Sequence, residues 1–185
     1  GRTNLTVNKL GWGGIPIQRV SEEQAVSVIQ AAVELGVDLL DTARAYTSSE
    51  RRIGLALQKT SRPVILSSKS NNRTEKIYDD VQLSLSLLRV KKIQLYHLHN
   101  VSRAEDYEKV MGPGGAYQGL QKAKAEGWID HIGITSHSLD IMERALRDDH
   151  FGVIMVCYSF LEPDAAGRIF PAARASTTAS KPSIC

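Results

Sequence analysis

Four side chains suited to acid–base chemistry stand at regular points along this sequence. Asp41 ends the run VDLLD and Tyr46 follows five residues later. Lys69 ends VILSSK, and His99 ends IQLYHLH. A carboxylate, an amine and an imidazole thus close three successive apolar runs. In a parallel α/β fold the C-terminal strand ends line the active site. An ionisable group at each of three strand ends is costly if buried and unpaired. It is accounted for if those ends converge on one polar pocket. Each residue also has a plain reading. Asp41 caps the next turn, Tyr46 is a loop aromatic, Lys69 is a surface lysine, and His99 is a satisfied core histidine. Its neighbour His97 is expected on the opposite face of the strand.

The elements that must position these groups alternate strictly. A first strand is expected around Leu10 to Gly14. Ser21 to Leu35 reads as a helix: Ser21 and Gln24 form a capping box, Glu22 and Glu23 suit the positive end of the dipole, and Gly36 stops it. Ala25, Val28, Ile29, Ala32 and Val33 fall on its apolar face. The runs ending in Asp41, Lys69 and His99 are strands, with helices over Ser49 to Gln58 and Thr74 to Leu88 between them. A less regular stretch, Val101 to Gly115, follows, with GPGG as a turn. Tyr117 to Glu126 is a helix, His131 to Ser136 a strand, Leu139 to Leu146 a helix, Val153 to Tyr158 a strand and Asp164 to Arg174 a helix.

The polar strand ends Asp41, Lys69, His99, Ser136 and Tyr158 are separated by 28, 30, 37 and 22 residues. The mean interval is about 29, against ~31 for an eight-unit barrel of ~250 residues. Periodicity alone leaves a barrel and a doubly wound open sheet about equal. The chemistry favours the barrel, because its strand ends point at one centre rather than fanning out along an edge.

The segments LGWGGIPIQ, DTARAY (Asp41 to Tyr46), SSKS around Lys69, LYHLHN around His99 and IGITSHS (Ile132 to Ser138), taken in this order, resemble the aldo-keto reductase family. The resemblance covers Gly1 to about Ala175. It implies an α/β fold of the (β/α)8 TIM-barrel type, of which about six of eight units are present. It also implies reduction of aldehydes or ketones by a nicotinamide cofactor, NADP(H) in preference to NAD(H). Tyr46 would be the general acid. Lys69 would lower the phenol's pKa, Asp41 would hold Lys69 charged, and His99 would donate to the carbonyl oxygen. On the cofactor side the resemblance points to Gly13, Gly14, Asp41, Ser136 and His137, the last in place of the family's usual Asn. Met155 falls near a position where many members have Gln. Trp12 is a candidate pocket wall, and Tyr158 touches either the site or the core.

Composition narrows the alternatives. Hydrophobic residues make up 42% and charged residues 23%, as in a globular domain. The net charge of +3 is dispersed, which argues against a nucleic-acid footprint. No apolar run approaches the ~20 residues that span a bilayer, so a membrane partner is not expected. Cys157 and Cys185 form neither a metal-binding spacing nor a disulfide framework, and a cytoplasmic setting is expected. Residues 1–175 read as one partial barrel domain and 176–185, polar and without strand pattern, as a disordered tail outside it. An open six-stranded wedge exposes two sheet edges, so self-association through them is expected. Two other functions stay open: a non-catalytic fragment or dead paralogue, and an aldolase or isomerase barrel using Lys69 as a Schiff-base amine.

Overall fold

The computed structural model describes residues 2–175; the expected tail at 176–185, Cys185 included, lies outside the described residues. Fourteen elements follow in order. They are β1 (Trp12–Gly13), a 3-10 turn (Pro16–Arg19), α1 (Glu22–Glu34), β2 (Leu39–Asp41), α2 (Ser49–Leu57), β3 (Ile65–Ser70) and α3 (Ile77–Leu88). Then come β4 (Ile93–Leu98), α4 (Ala104–Met111), α5 (Ala116–Ala125), β5 (Ile129–Ser136), α6 (Leu139–Asp148), β6 (Val153–Val156) and α7 (Ala165–Ala175).

All strand pairs are parallel, and the strand order is β1-β2-β3-β4-β5-β6. This order separates the two architectures that periodicity leaves equal. A doubly wound sheet reverses direction at a switch point; here no reversal occurs. Successive crossovers of one hand put the helices on one side, and the sheet curls around the other. The result is an incomplete barrel of six strands, and β1 and β6 are its edges among the described residues.

Side chains alternate along each strand. Leu40, Leu66, Tyr96, Leu98, Ile132, Ile134, Ile154 and Val156 pack into the main core between sheet and helices. On the inner face, Leu39, Leu95 and Val153 form a small apolar floor with Leu5, Val7 and Ile65. The N-terminal segment lies across this floor. It is tied at one end by Asn8, whose backbone N donates to Asp38 Oδ1 at 2.9 Å and whose side chain donates to Gly36 O at 2.6 Å. At the other end Arg2 pairs with Asp149. The inner face is therefore apolar at the base and polar above.

The capping box at Ser21 and Gln24 is present, and Gly36, at φ +101°, ends α1. The buried stripe of α1 is Ala25, Val26, Ile29 and Val33, while Val28 is half exposed. The stripe is rotated toward Val26, and α1 packs on α2. The region expected to be irregular contains α4, which buries Tyr107 and Val110. Its apolar positions are only three apart, too few to show a helical period. At Gly54 a Cβ would sit 2.2 Å from Leu87 O, so only glycine lets α2 approach α3 this closely.

Candidate active site

The cluster begins where β2 ends. Asp41 is the last residue of that strand, and pairing continues past it. Thr42 N donates to Ser67 O at 2.8 Å and Arg44 N to Lys69 O at 2.9 Å. The chain then turns back, with Tyr46 N donating to Ala43 O at 3.0 Å, and α2 starts at Ser49. This path carries Tyr46 over the ends of β3 and β4. Lys69 is on the inner face of β3, and His99 is the first residue after β4, its N–H donating to Ser70 O at 2.9 Å.

All four residues named from the sequence meet. Lys69 is only 2% exposed. Its ammonium pairs with Asp41 Oδ2 and donates to Thr42 O at 2.8 Å. Lys69 Nζ lies 5.1 Å from the Tyr46 ring centroid, and the Tyr46 and His99 rings meet edge to face at 5.9 Å. Asp41 Oδ1 accepts from Ser67 Oγ at 2.7 Å. Both carboxylate oxygens are thus engaged.

The electrostatics depart from expectation at Tyr46. Burial, and then the Asp41 carboxylate, hold its phenol above the ordinary value of 10. The ammonium expected to lower it is committed to Asp41, so the pair brings little net charge to the phenol and desolvation decides. A phenol held above 10 carries its proton at neutral pH. Burial, then Lys69, Arg73 and His137, lower His99 to about 4, so its imidazole is neutral and donates from one nitrogen only. Its Nδ1 is buried without a hydrogen-bond partner.

His97 corrects the sequence reading. It lies two residues from His99 and two from Leu95, so period-2 alternation puts all three on one face. It is fully buried on the inner face, with Nε2 3.1 Å from Ser67 Oγ. Burial, then Lys69 and His99, push its pKa down to about 3. Both histidines therefore sit well below the ordinary value of about 6.5. Between these values the unfolded chain binds more protons than the folded one. Their contribution to stability is complete above pH ~6.5 and lost as pH falls toward 4 and then 3. The carbon-bound ring protons of His97 and His99 should show flat NMR shifts between about pH 5 and 8, where an ordinary histidine titrates; a sigmoidal shift centred near 6.5 would contradict these environments.

The remaining sequence-named residues distribute as follows. Gly13 pairs in register with Asp41, and a Cβ there would meet nothing within 4 Å, so the inner face is open beside the carboxylate. Gly14 N donates to Asp41 O at 2.9 Å. A Cβ on it would sit 2.5 Å from Ser49 Oγ and 2.8 Å from Asp41 O, so glycine lets β1 close on the β2 end. Ser136 ends β5 with its hydroxyl turned into the β5–α6 connection, where it accepts from Ser138 N at 2.9 Å and lies 3.3 Å from Ser102 Oγ. His137 Nδ1 is 3.2 Å from Cys157 Sγ. The inner-face residue at this strand end is Thr135, whose Oγ1 accepts from Asn100 N at 2.8 Å. Trp12 packs on the helix-side core rather than forming a pocket wall. Met155 pairs in register with Thr135, and Tyr158 lies beyond β6, half exposed and edge-on to Phe170.

Sequence reasoning missed Ser67, His97, Thr135 and Arg73. Arg73 donates to the carbonyls of His99 and Asn100 at 2.7 and 2.8 Å and so braces the loop after β4. Ser67 and His97 were readable by counting back in twos from Lys69 and His99; Thr135, on a strand with no such reference residue, was not. Arg73 lies in a loop and left no such signal.

Comparison with known proteins gives the family and agrees with the fold. The model of the Aldo/keto reductase family matches residues 8–179, running past Ala175. The chain is 30% identical over 163 residues to methylglyoxal reductase DkgA of Escherichia coli (strain K12), covering 83% of this chain and 56% of that protein. It is 28% identical over 177 residues to an aldo-keto reductase of Schizosaccharomyces pombe (strain 972 / ATCC 24843) whose name specifies NADP(+), covering 84% and 50%. The chain thus spans about half the length of these curated relatives. Among solved structures, the holo form of an aldo-keto reductase from Bacillus halodurans superposes with a TM-score of 0.83 at 26% identity, covering 98% of this chain and 62% of that one.

Proposed function

The chain belongs to the aldo/keto reductase family, and on that premise we propose that it serves the NAD(P)H-dependent reduction of aldehydes or ketones to alcohols, with NADP(H) preferred to NAD(H). The observation that carries this reading is the convergence of Tyr46 and His99 on the buried Lys69–Asp41 pair. The S. pombe relative's NADP(+) supports the cofactor preference, and the E. coli relative's name supports a small carbonyl substrate.

A nicotinamide cofactor, when bound, supplies the hydride. The residues present fit such a group. Gly13 leaves space beside Asp41, and Ser136 and His137 are our candidates to meet the carboxamide, Ser136 by exchanging its bonds to Ser102 and Ser138, with Gly14 and Asp41 shaping the opposite side. The protein's own part is proton delivery and orientation. Tyr46 holds a phenolic proton at neutral pH and passes it to the substrate's carbonyl oxygen. His99, neutral, donates its N–H to the same oxygen and fixes its direction. As the proton leaves, charge develops on the Tyr46 oxygen, and the Lys69 ammonium, 5.1 Å from the ring centroid and largely balanced by Asp41 at rest, is the cation placed to respond to it. Asp41 holds Lys69 in place through the carbonyl's whole passage.

The same ion pair argues against the aldolase or isomerase reading, since a Schiff base requires a free amine. No helix among the described residues is long and apolar enough to cross a membrane. A cytoplasmic setting remains our reading, supported by the free Cys157, and self-association would use the β1 and β6 edges. A near-UV circular dichroism melt with and without excess NADPH tests the binding half of the proposal. A cooperative transition that rises with NADPH is expected, because a ligand of the native state must stabilise it. A cooperative transition indifferent to NADPH would favour the non-catalytic reading.

A further inference from the structure

Below the four-residue cluster the barrel interior holds a histidine that no step above uses. His97 is fully buried between Ser67 of β3 and Gly133 of β5. Its Nε2 lies 3.1 Å from Ser67 Oγ, and Ser67 Oγ donates to Asp41 Oδ1 at 2.7 Å. We propose that His97 is a positioning residue for the reaction: acting through Ser67, it fixes the Asp41 carboxylate against Lys69. The link to catalysis rests on the reductase reading above; the link to Asp41 does not.

The direction of the chain follows from counting protons. A serine hydroxyl has one proton, and an ionised carboxylate only accepts. Asp41 is ion-paired with Lys69, so the Ser67 proton points at Oδ1. Ser67 Oγ can then only accept from His97. The imidazole proton is therefore on Nε2, and Nδ1 is bare. Nδ1 is buried without a partner and faces Gly133, where a Cβ would come within 2.2 Å of it. Housing this ring thus requires a glycine inside a strand and leaves a buried acceptor unsatisfied. Both are destabilising, and an apolar side chain at 97 would avoid the second. What the histidine provides in return is one hydrogen bond to Ser67.

That bond has a defined effect. The carboxylate torsion of an aspartate is soft. With only Lys69 on Oδ2, Asp41 could swing and take the ammonium with it. A second donor on Oδ1, itself held from below, leaves one orientation, in an interior where hydrogen bonds reinforce one another. Lys69 then stays fixed relative to the Tyr46 ring, 5.1 Å from its centroid.

The test uses the full chain, isotopically labelled. Proton–nitrogen NMR correlation should show His97 with its proton on Nε2. His97→Leu keeps bulk and removes the donor, whereas His97→Gln keeps an N–H near the Nε2 position. We expect the Leu variant to shift the Asp41 carboxyl-carbon resonance and to lower kcat about tenfold, the upper scale of one buried neutral hydrogen bond, with KM little changed. Gln should restore both toward wild type. Ser67→Ala, which breaks the link from the other end, should reproduce the Leu phenotype and serves if that variant does not fold. A proton on Nδ1, or Leu and Gln variants that behave alike, would overturn the proposal. If the wild-type chain reduces no carbonyl, the reductase reading fails, and the tautomer and the Asp41 resonance still decide whether His97 holds Asp41.

Discussion

Tyr46→Phe should lower kcat for carbonyl reduction by about 10²–10⁴, the usual contribution of a positioned general acid, and leave NADPH affinity within about twofold, since an uncontacted proton donor adds nothing to ground-state binding. The substitution removes one oxygen. The ring that meets His99 edge to face and lies near Lys69 Nζ is retained. Nothing among the described residues hydrogen-bonds to the Tyr46 hydroxyl, so its loss leaves no partner unsatisfied and the fold should be unaffected. This combination, a dead enzyme that folds and binds cofactor normally, distinguishes an acid from a structural aromatic. Equal kcat in the two proteins, measured by cofactor oxidation with an aldehyde, would remove Tyr46 from the mechanism.

Lys69→Met should be costly in both stability and rate. The methionine fills the space of the lysine stem but leaves Asp41 mostly buried opposite no cation. Removing one partner of a buried pair typically costs about 3–5 kcal/mol; Asp41 retains some exposure at the pocket, which puts the expected loss near the lower end. Denaturant titration would measure it as a fall in midpoint at constant slope. Adding Asp41→Asn, which removes the stranded charge, should recover about half of that loss or more. Activity should not return, because the charge that offsets the developing phenolate is gone. Recovery of stability without recovery of turnover would separate the pair's structural role from its chemical one. A single Lys69→Met variant as stable as wild type would show that the Asp41 charge is relieved by solvent.

How much of this was legible in the sequence depends on which physical rule each residue obeys. Asp41, Lys69 and His99 were readable because each ends an apolar run, and the capping box at Ser21 and Gln24 because its spacing is fixed. The barrel could not be distinguished from an open sheet by periodicity, since that choice lies in strand order, a long-range property. The position of His97 was available and misread: residues two apart on a strand share a face. Gly133 carried a matching signal, an isolated glycine inside a strand marking close approach, which here is the approach of the His97 ring. The raised pKa of Tyr46 was not legible, because its first cause is burial, which the sequence does not show for a residue in a loop.

The central claim, that this cluster directs reduction of a carbonyl, is tested most directly by isotope transfer. The folded chain would be incubated with an aldehyde and NADPH carrying deuterium on the transferable position of the nicotinamide, and the alcohol analysed by mass spectrometry and NMR. The account predicts deuterium on the former carbonyl carbon in wild type, and its appearance about 10²–10⁴-fold more slowly in Tyr46→Phe. A wild-type protein that folds cooperatively and is stabilised by NADPH, yet yields no labelled alcohol across a panel of aldehydes and ketones, would contradict it.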